Sequence, residues 1–175
     1  LGVYFKIQSF VFMPVFGLNQ GAMPIMGYNY GAAKKDRLMQ TYKEALKIAL
    51  LVMALGLLLF QALPKQLLLM FDASADMLAI GIPALRIISL CFLPAAFGII
   101  TGTLFQGTGH GVYSLLCSVI RQLIGILPLA FILIRIGGVT LSWASFPLAE
   151  LLGLAYSALM LQRLYKNEIS KLGVQ

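Results

Sequence analysis

The chain contains five apolar segments of at least 18 residues, and each can cross a lipid bilayer as a helix, which takes about 20 residues. Segments A to E cover residues 4–28, 46–63, 77–105, 112–134 and 139–162. Apolar residues make up 60% of the 175 residues and charged residues 11%. Soluble domains average roughly 45–50% and about 25%, so soluble, disordered and collagen-like classes are excluded. The sequence predicts an all-α, polytopic transmembrane helix bundle.

Basic residues are distributed unevenly between the connections. Eight lie after segment A or in the polar tail 163–175, which share one side of the membrane when five segments span it, and three lie towards the other side. The eight are Lys34, Lys35, Arg37, Lys43, Lys47, Arg163, Lys166 and Lys171, and the three are Lys6, Lys65 and Arg135. By the positive-inside rule, the loop after segment A and the tail are cytoplasmic. This rule also accounts for the net charge of +7, so we expect the lipid bilayer, and no nucleic acid, as a partner.

This orientation makes segment A enter the membrane from outside. We expect no signal peptide, since no basic region precedes a short apolar run with a cleavage site. We therefore expect an odd number of spans upstream, and the 175 residues to be part of a longer chain.

Motifs for enzyme chemistry are missing from the sequence. The single histidine, His110, rules out HExxH and His-rich metal sites, and no phosphate-binding loop occurs. Cys91 and Cys117 lie in apolar runs and are interpreted as small core residues. His110 and the pair Glu44 and Lys47 are interpreted as solvated loop residues. We predict a protein that is not an enzyme and that has no cofactor or metal.

Three ionisable residues lie inside predicted spans: Arg86, Arg121 and Glu150. Each costs about 2.5–3.5 kcal/mol at mid-bilayer on insertion scales, so such residues usually face the bundle interior and pair. Arg86 and Glu150 are expected at similar depths, with Arg121 slightly deeper. The functional interpretation is a coupling or substrate site, with Arg121 holding Glu150. The alternative is a structural ion pair that locks two helices together.

Segment A is unusually polar and aromatic for a span. Its amides, aromatic rings and methionines suit a cavity that binds varied organic cations. The residues predicted to line the cavity are Gln8, Met13, Phe16, Asn19 and Gln20. The alternative is helix packing, with the amides bonded to neighbouring helices. Prolines inside the spans permit kinks, and they are Pro14, Pro24, Pro83, Pro94, Pro128 and Pro147.

Several runs, in order along the chain, resemble the multidrug and toxic compound extrusion (MATE) transporters. The first is Gly17-Leu-Asn-Gln-Gly21 followed by Pro24-Ile-Met-Gly-Tyr-Asn-Tyr-Gly-Ala32 and Lys34-Lys-Asp-Arg37. The others are Leu85-Arg86-Ile87, Phe105-Gln106-Gly-Thr-Gly109, Ser118-Val-Ile-Arg121-Gln122 with Pro128, and Trp143-Ala-Ser-Phe-Pro147-Leu-Ala-Glu150. The resemblance covers nearly the whole chain.

The resemblance implies twelve helices in two six-helix lobes, of which segments A to E are helices eight to twelve. It implies alternating-access export of cationic drugs, in antiport with H⁺ or Na⁺, across a bacterial-type plasma (inner) membrane. The missing partners are the N-terminal lobe and the first helix of the C-terminal lobe. Segment C has no carboxylate in its middle, which weighs against the Na⁺ site of NorM-type members.

Two other functions stay open from the sequence. A flippase for lipid-linked saccharides or lipids, from the same superfamily, would have a more cationic and less aromatic cavity. A non-transporting membrane subunit would need no polar residues inside its spans. We expect the isolated chain to be unstable, because its polar surface would face lipid.

Overall fold

The computed structural model describes residues 2–173, and every regular element among them is helical. The all-α fold class is confirmed. The α-helices are α1 Gly2–Gly31, α2 Lys35–Ala62, α3 Pro64–Leu69, α4 Ala75–Ser89, α5 Phe92–Gly107, α6 Gly111–Val119, α7 Leu127–Ser142 and α8 Ser145–Asn167. A π-helical segment, Ile120–Ile126, joins α6 to α7, and a 3₁₀ turn, Ile169–Lys171, follows α8.

Helix α2 begins eleven residues before predicted segment B, at Lys35. Asp36 in its first turn suits the positive helix N-terminus. Lys47 and Glu44 form an exposed ion pair, with Nζ and Oε1 2.8 Å apart. The region interpreted as a basic loop is therefore mostly helix, and only residues 32–34 connect α1 to α2.

Predicted segment C is two helices rather than one, since α4 and α5 meet at a bend of 48°. Pro94 has no N–H to bond the Leu90 carbonyl, which an uninterrupted α-helix would require. The backbone tightens there, because the N–H groups of Leu90 and Cys91 bond the carbonyls three residues earlier, at 3.3 and 3.0 Å. The bend follows from Pro94, one of the prolines expected to permit kinks, and the interpretation of segment C as a single span stays a prediction.

The π-helical segment interrupts predicted segment D just before Pro128. The Leu127 N–H bonds the Gln122 carbonyl, five residues back. The helical path then breaks at Gly137 and Gly138, and Gly138 has a positive φ of 69°. Glycine tolerates this conformation. The Gly137–Gly138 break lies where the sequence placed the boundary between segments D and E.

Helix α8 extends five residues beyond predicted segment E, to Asn167. The chain after it packs against the bundle, since Leu164 and Ile169 are buried. The predicted tail 163–175 is therefore helical and docked in its described part, and its last two residues lie outside the described ones.

By length and apolar character alone, two helical runs are able to cross a membrane: α2 and Gly111–Ser142. The bent pair α4–α5 makes a third if it counts as one span. Helices α1 and α8 have 30 and 23 residues and carry polar side chains. The count of five spans stays a prediction.

The core of the bundle lies where α1, α2 and α5 meet. The rings of Phe12 and Phe60 pack edge-on against Phe92, with centroids 5.4 and 5.0 Å away. Helices α1 and α5 also approach closely at Gly27 and Gly107, where an added Cβ would lie 3.0 Å from a backbone oxygen of the other helix. This packing orients α1 beside α8 and the π-helical segment, where the candidate site lies.

Three connections meet at one end of the bundle, which we call the basic end. They are residues 32–34, residues 108–110 and the 3₁₀ turn Ile169–Lys171. The Ala33 carbonyl lies 3.4 Å from the Cβ position of Gly173, which shows how closely the first and last connections approach. Four of the predicted cytoplasmic basic residues lie in or next to these connections: Lys34, Lys35, Lys166 and Lys171.

Candidate functional site

A cavity of about 440 Å³ opens between α1, the π-helical segment and α8. Helix α1 supplies most of its wall, because Phe5, Ser9, Phe12 and Phe16 recur at helical spacing on one face. The full lining is Tyr4, Phe5, Gln8, Ser9, Phe12, Met13, Phe16, Cys91, Arg121, Gln122, Ile126, Phe146 and Glu150. We call this space the aromatic cavity.

Three of the five residues predicted on segment A line the aromatic cavity: Gln8, Met13 and Phe16. Asn19 lies instead in a second cavity and bonds the Thr103 hydroxyl of α5. Gln20 is exposed and lines neither cavity. The Asn19 amide therefore bonds a neighbouring helix, as the packing alternative predicts, whereas Gln8 lines the aromatic cavity.

Arg121 and Glu150 meet on the cavity wall. The Arg121 Nη1 donates to Glu150 Oε1 over 3.0 Å. The side chains are 26% and 14% exposed, so the pair is partly shielded from solvent. Arg121 comes from the π-helical segment and Glu150 from α8, so the pair joins these two elements.

Arg86 lies apart from this pair. Its side chain is exposed, and its backbone carbonyl accepts a hydrogen bond from Gln61 Nε2 at 2.8 Å. Among residues 2–173, the ion pairs found involve other residues. The sequence predicted similar depths for Arg86 and Glu150, and the structure pairs Glu150 with Arg121 instead.

The second cavity holds about 210 Å³ and shares Phe16, Arg121 and Glu150 with the aromatic cavity. Its remaining lining is mostly small or polar: Asn19, Gly98, Ile99, Gly102, Gln106, Ser114, Cys117, Ser118 and Gly153. Gln106 Nε2 donates to Ser114 Oγ over 2.9 Å. We call this space the polar cavity.

The sequence did not predict a cluster of hydrogen-bonded side chains that lies at the basic end. Tyr30 donates to Glu168 Oε2 over 2.5 Å, and His110 Nε2 lies 2.9 Å from Glu168 Oε1. The His110 ring also stacks on Tyr113, with centroids 5.4 Å apart. The hydrogen bonds from Tyr30 and His110 hold the pKa of Glu168 below its usual value.

His110 lies in the 108–110 connection, as interpreted, but it is not freely solvated: its side chain is 22% exposed and bonds Glu168, which also bonds Tyr30 of α1. No sequence signal linked these residues, because 58 and 138 positions separate Glu168 from His110 and Tyr30. Glu44 and Lys47 are exposed and paired, as interpreted, but they lie on α2 and not in a loop.

Cysteine and histidine do not form a metal site in the described part of the chain. Within residues 2–173, no three His, Cys, Asp or Glu side chains cluster so as to hold a metal ion. The thiol of Cys117 lies 3.2 Å from Ser157 Oγ, between α6 and α8. Cys91 is buried beside the aromatic cavity.

The MatE family model matches residues 1–132, which is three quarters of the chain. The chain belongs to the MATE family. The resemblance seen in the sequence motifs is thereby confirmed. MATE proteins are integral membrane proteins that act as transporters and not as enzymes.

Solved MATE structures have the same fold. The multidrug transporter DinF-BH, solved in complex with a ligand, is 32% identical over 94% of this chain and 36% of its own, with a TM-score of 0.84. A MOP superfamily transporter from Pyrococcus furiosus is 23% identical over 98% of this chain and 38% of its own, with a TM-score of 0.86.

A MATE transporter solved in its outward-facing conformation is 22% identical over 95% of this chain and 39% of its own, with a TM-score of 0.82. The chain thus spans less than two fifths of the length of these three transporters. No curated protein matches it in sequence.

Proposed function

We propose that the chain is part of a multidrug efflux transporter that exports organic cations in antiport with H⁺ or Na⁺. The observation that carries the proposal is the aromatic cavity, which combines a volume of about 440 Å³ with a wall of aromatic and methionine side chains. Drug-sized ligands occupy pockets of roughly 300–1,000 Å³ lined mainly by apolar side chains. Methionine adapts to ligands of different shape.

The cavity chemistry favours cations with aromatic rings. Aromatic faces attract organic cations, and Phe5, Phe12 and Phe16 supply such faces. Glu150 is the acidic side chain among the lining residues, and Arg121 is the basic one. A cation that approaches Glu150 competes with Arg121 for the carboxylate, so ligand binding and the ion pair are linked.

A second lobe completes the site in our proposal. The chain covers 36–39% of the solved transporters, and alternating access needs two lobes that rock about a central site. We infer that an N-terminal lobe and one further helix pack against this bundle. The basic end then faces the cytoplasm of a cell with a bacterial-type plasma membrane.

The test is to replace Glu150 with Gln in the full protein that carries this chain. Ethidium serves as the organic cation, and its export from proteoliposomes is measured under a pH gradient and, separately, under a Na⁺ gradient. We expect gradient-driven export to fall by about tenfold or more, which corresponds to about 1.4 kcal/mol of transition-state free energy. Glu44→Gln is the matched control, because Glu44 is also ion-paired but is exposed.

Unchanged ethidium export by Glu150→Gln, at equal expression, would remove Glu150 from the mechanism. Wild-type protein that neither binds nor exports ethidium and similar cations under either gradient would overturn the proposal of multidrug efflux itself. The two gradients identify the coupling ion, since only the gradient of the coupled ion drives export.

A further inference from the structure

Phe16, Arg121 and Glu150 form a common wall between the two cavities. The aromatic cavity lies on the side of this wall towards Tyr4, near the start of α1. The polar cavity lies on the side towards Gln106, near the end of α5. One ion pair therefore contacts two compartments with different chemistry.

Polar side chains continue from the ion pair towards the basic end. Ser114, Ser118 and Arg121 are four and three residues apart, so they share one face of the helical path. At 1.5 Å per residue, Ser114 and Arg121 are separated by about 10 Å along the helix axis. The hydrogen bond from Gln106 to Ser114 extends this row to the last turn of α5, beside the 108–110 connection. We call Gln106, Ser114 and Ser118 the polar track.

The two cavities suit different ligands. Hydroxyl and amide groups replace the water lost by a small inorganic cation, whereas an aromatic wall leaves that loss uncompensated. The bulky Phe16 ring lies at the boundary between them. An organic cation therefore fits the aromatic cavity, and a small inorganic cation that has lost part of its water fits the polar cavity.

We propose that the polar track is the route by which the coupling cation, a proton or Na⁺, passes between Glu150 and the basic end. A proton that binds the Glu150 carboxylate makes it a neutral acid, and Arg121 loses its counter-charge, so the ion pair opens. A bound Na⁺ competes with Arg121 for the same oxygens. Release along the track restores the pair. This inference rests on the proposed drug–cation antiport, and it names the path of the coupling ion.

The test blocks the track without changing the aromatic cavity. Ser118→Leu fills the polar cavity with an apolar side chain, and Ser118 is absent from the aromatic wall. Ser142→Leu is the matched control, because Ser142 lies on the same helical run and its hydroxyl also bonds a backbone carbonyl of its own helix, as that of Ser118 does. Both are made in the full protein and reconstituted in proteoliposomes.

Two quantities are measured for each variant: equilibrium ethidium binding, and ethidium export driven by a pH gradient or by a Na⁺ gradient. We expect Ser118→Leu to bind ethidium within about twofold of wild type and to lose export about tenfold. The loss should be confined to the gradient that drives the wild type. Ser142→Leu should change neither quantity.

Gradient-driven export by Ser118→Leu that stays within about twofold of wild type would overturn the inference and leave drug efflux intact. If Ser118→Leu does not fold, Gln106→Leu decides the question in the same assay, since Gln106 begins the track on a different helix. A wild type without ethidium binding or export would instead refute the proposed function, which separates the two failures.

Discussion

Gly107→Ala tests how closely α1 and α5 must approach. A Cβ at position 107 would lie 3.0 Å from the Met23 carbonyl oxygen, 3.3 Å from Met26 Cβ and 3.4 Å from the Gly27 nitrogen. Two of these three neighbours are backbone atoms, so the two helices must separate by a few tenths of an ångström. Overpacking of this kind costs about 1–3 kcal/mol. The higher helix propensity of alanine offsets up to about 1 kcal/mol of this loss of stability.

We therefore expect Gly107→Ala to be about 1–3 kcal/mol less stable than a glycine-to-alanine variant that gains the same helix propensity without the clash. The measurement is thermal unfolding of the detergent-solubilised full protein. The control is Gly21→Ala on α1, because nothing lies within 4 Å of its added Cβ, so it gains propensity without a clash. A Gly107→Ala protein that melts at or above the temperature of Gly21→Ala would show that the close approach of α1 and α5 is not needed.

Three further predictions follow from single contacts. Gly56→Ala should destabilise the protein, because its Cβ would overlap Val11 Cγ1, and Val11→Ala should restore the melting temperature in the double variant. Thr103→Val should lower stability by about 1 kcal/mol through loss of its bond to Asn19, with Thr140→Val, on the exposed face of α7, as the control in the same melting assay. The folded protein holds the pKa of Glu168 below its ordinary value of 4.5. The ionised carboxylate therefore stabilises the packing of the chain after α8 fully above pH 4.5, and this stabilisation is lost as the pH falls through the lower pKa of the folded state. The protection of the amides of residues 169–171 from hydrogen exchange, taken relative to the intrinsic exchange rate at each pH, should thus fall in acid, and Glu168→Gln should remove this fall.

Features that depend on local chemistry were predictable from the sequence. The apolar runs predicted a helical bundle, segment B was predicted to end at residue 63 and α2 ends at Ala62, just before Pro64, and the helical path breaks at Gly137 and Gly138, between predicted segments D and E. Each of these signals acts within a few residues of its effect. No distant contact was needed to predict them.

Features that depend on tertiary contacts were not predictable. The sequence predicted similar depths for Arg86 and Glu150, with Arg121 slightly deeper, but depth along a helix does not say which side chains meet. The structure pairs Arg121 with Glu150 and leaves Arg86 exposed. Likewise, the bond from Tyr30 to Glu168 joins residues 138 positions apart, and one sequence offers no signal for such a pairing.

The backbone around Arg121 explains why this arginine reaches Glu150. In the π-helical segment Gly125 packs directly on α8, where an added Cβ would lie 2.7 Å from Ala149 Cβ. This close approach brings the neighbouring Glu150 within 3.0 Å of Arg121. Pro128 has no N–H to donate to an α-helical hydrogen bond. The π-helical turn before it therefore loses few hydrogen bonds relative to an α-helix. A glycine and a proline that carry no chemistry of their own therefore help to position the charged pair on the wall of both cavities.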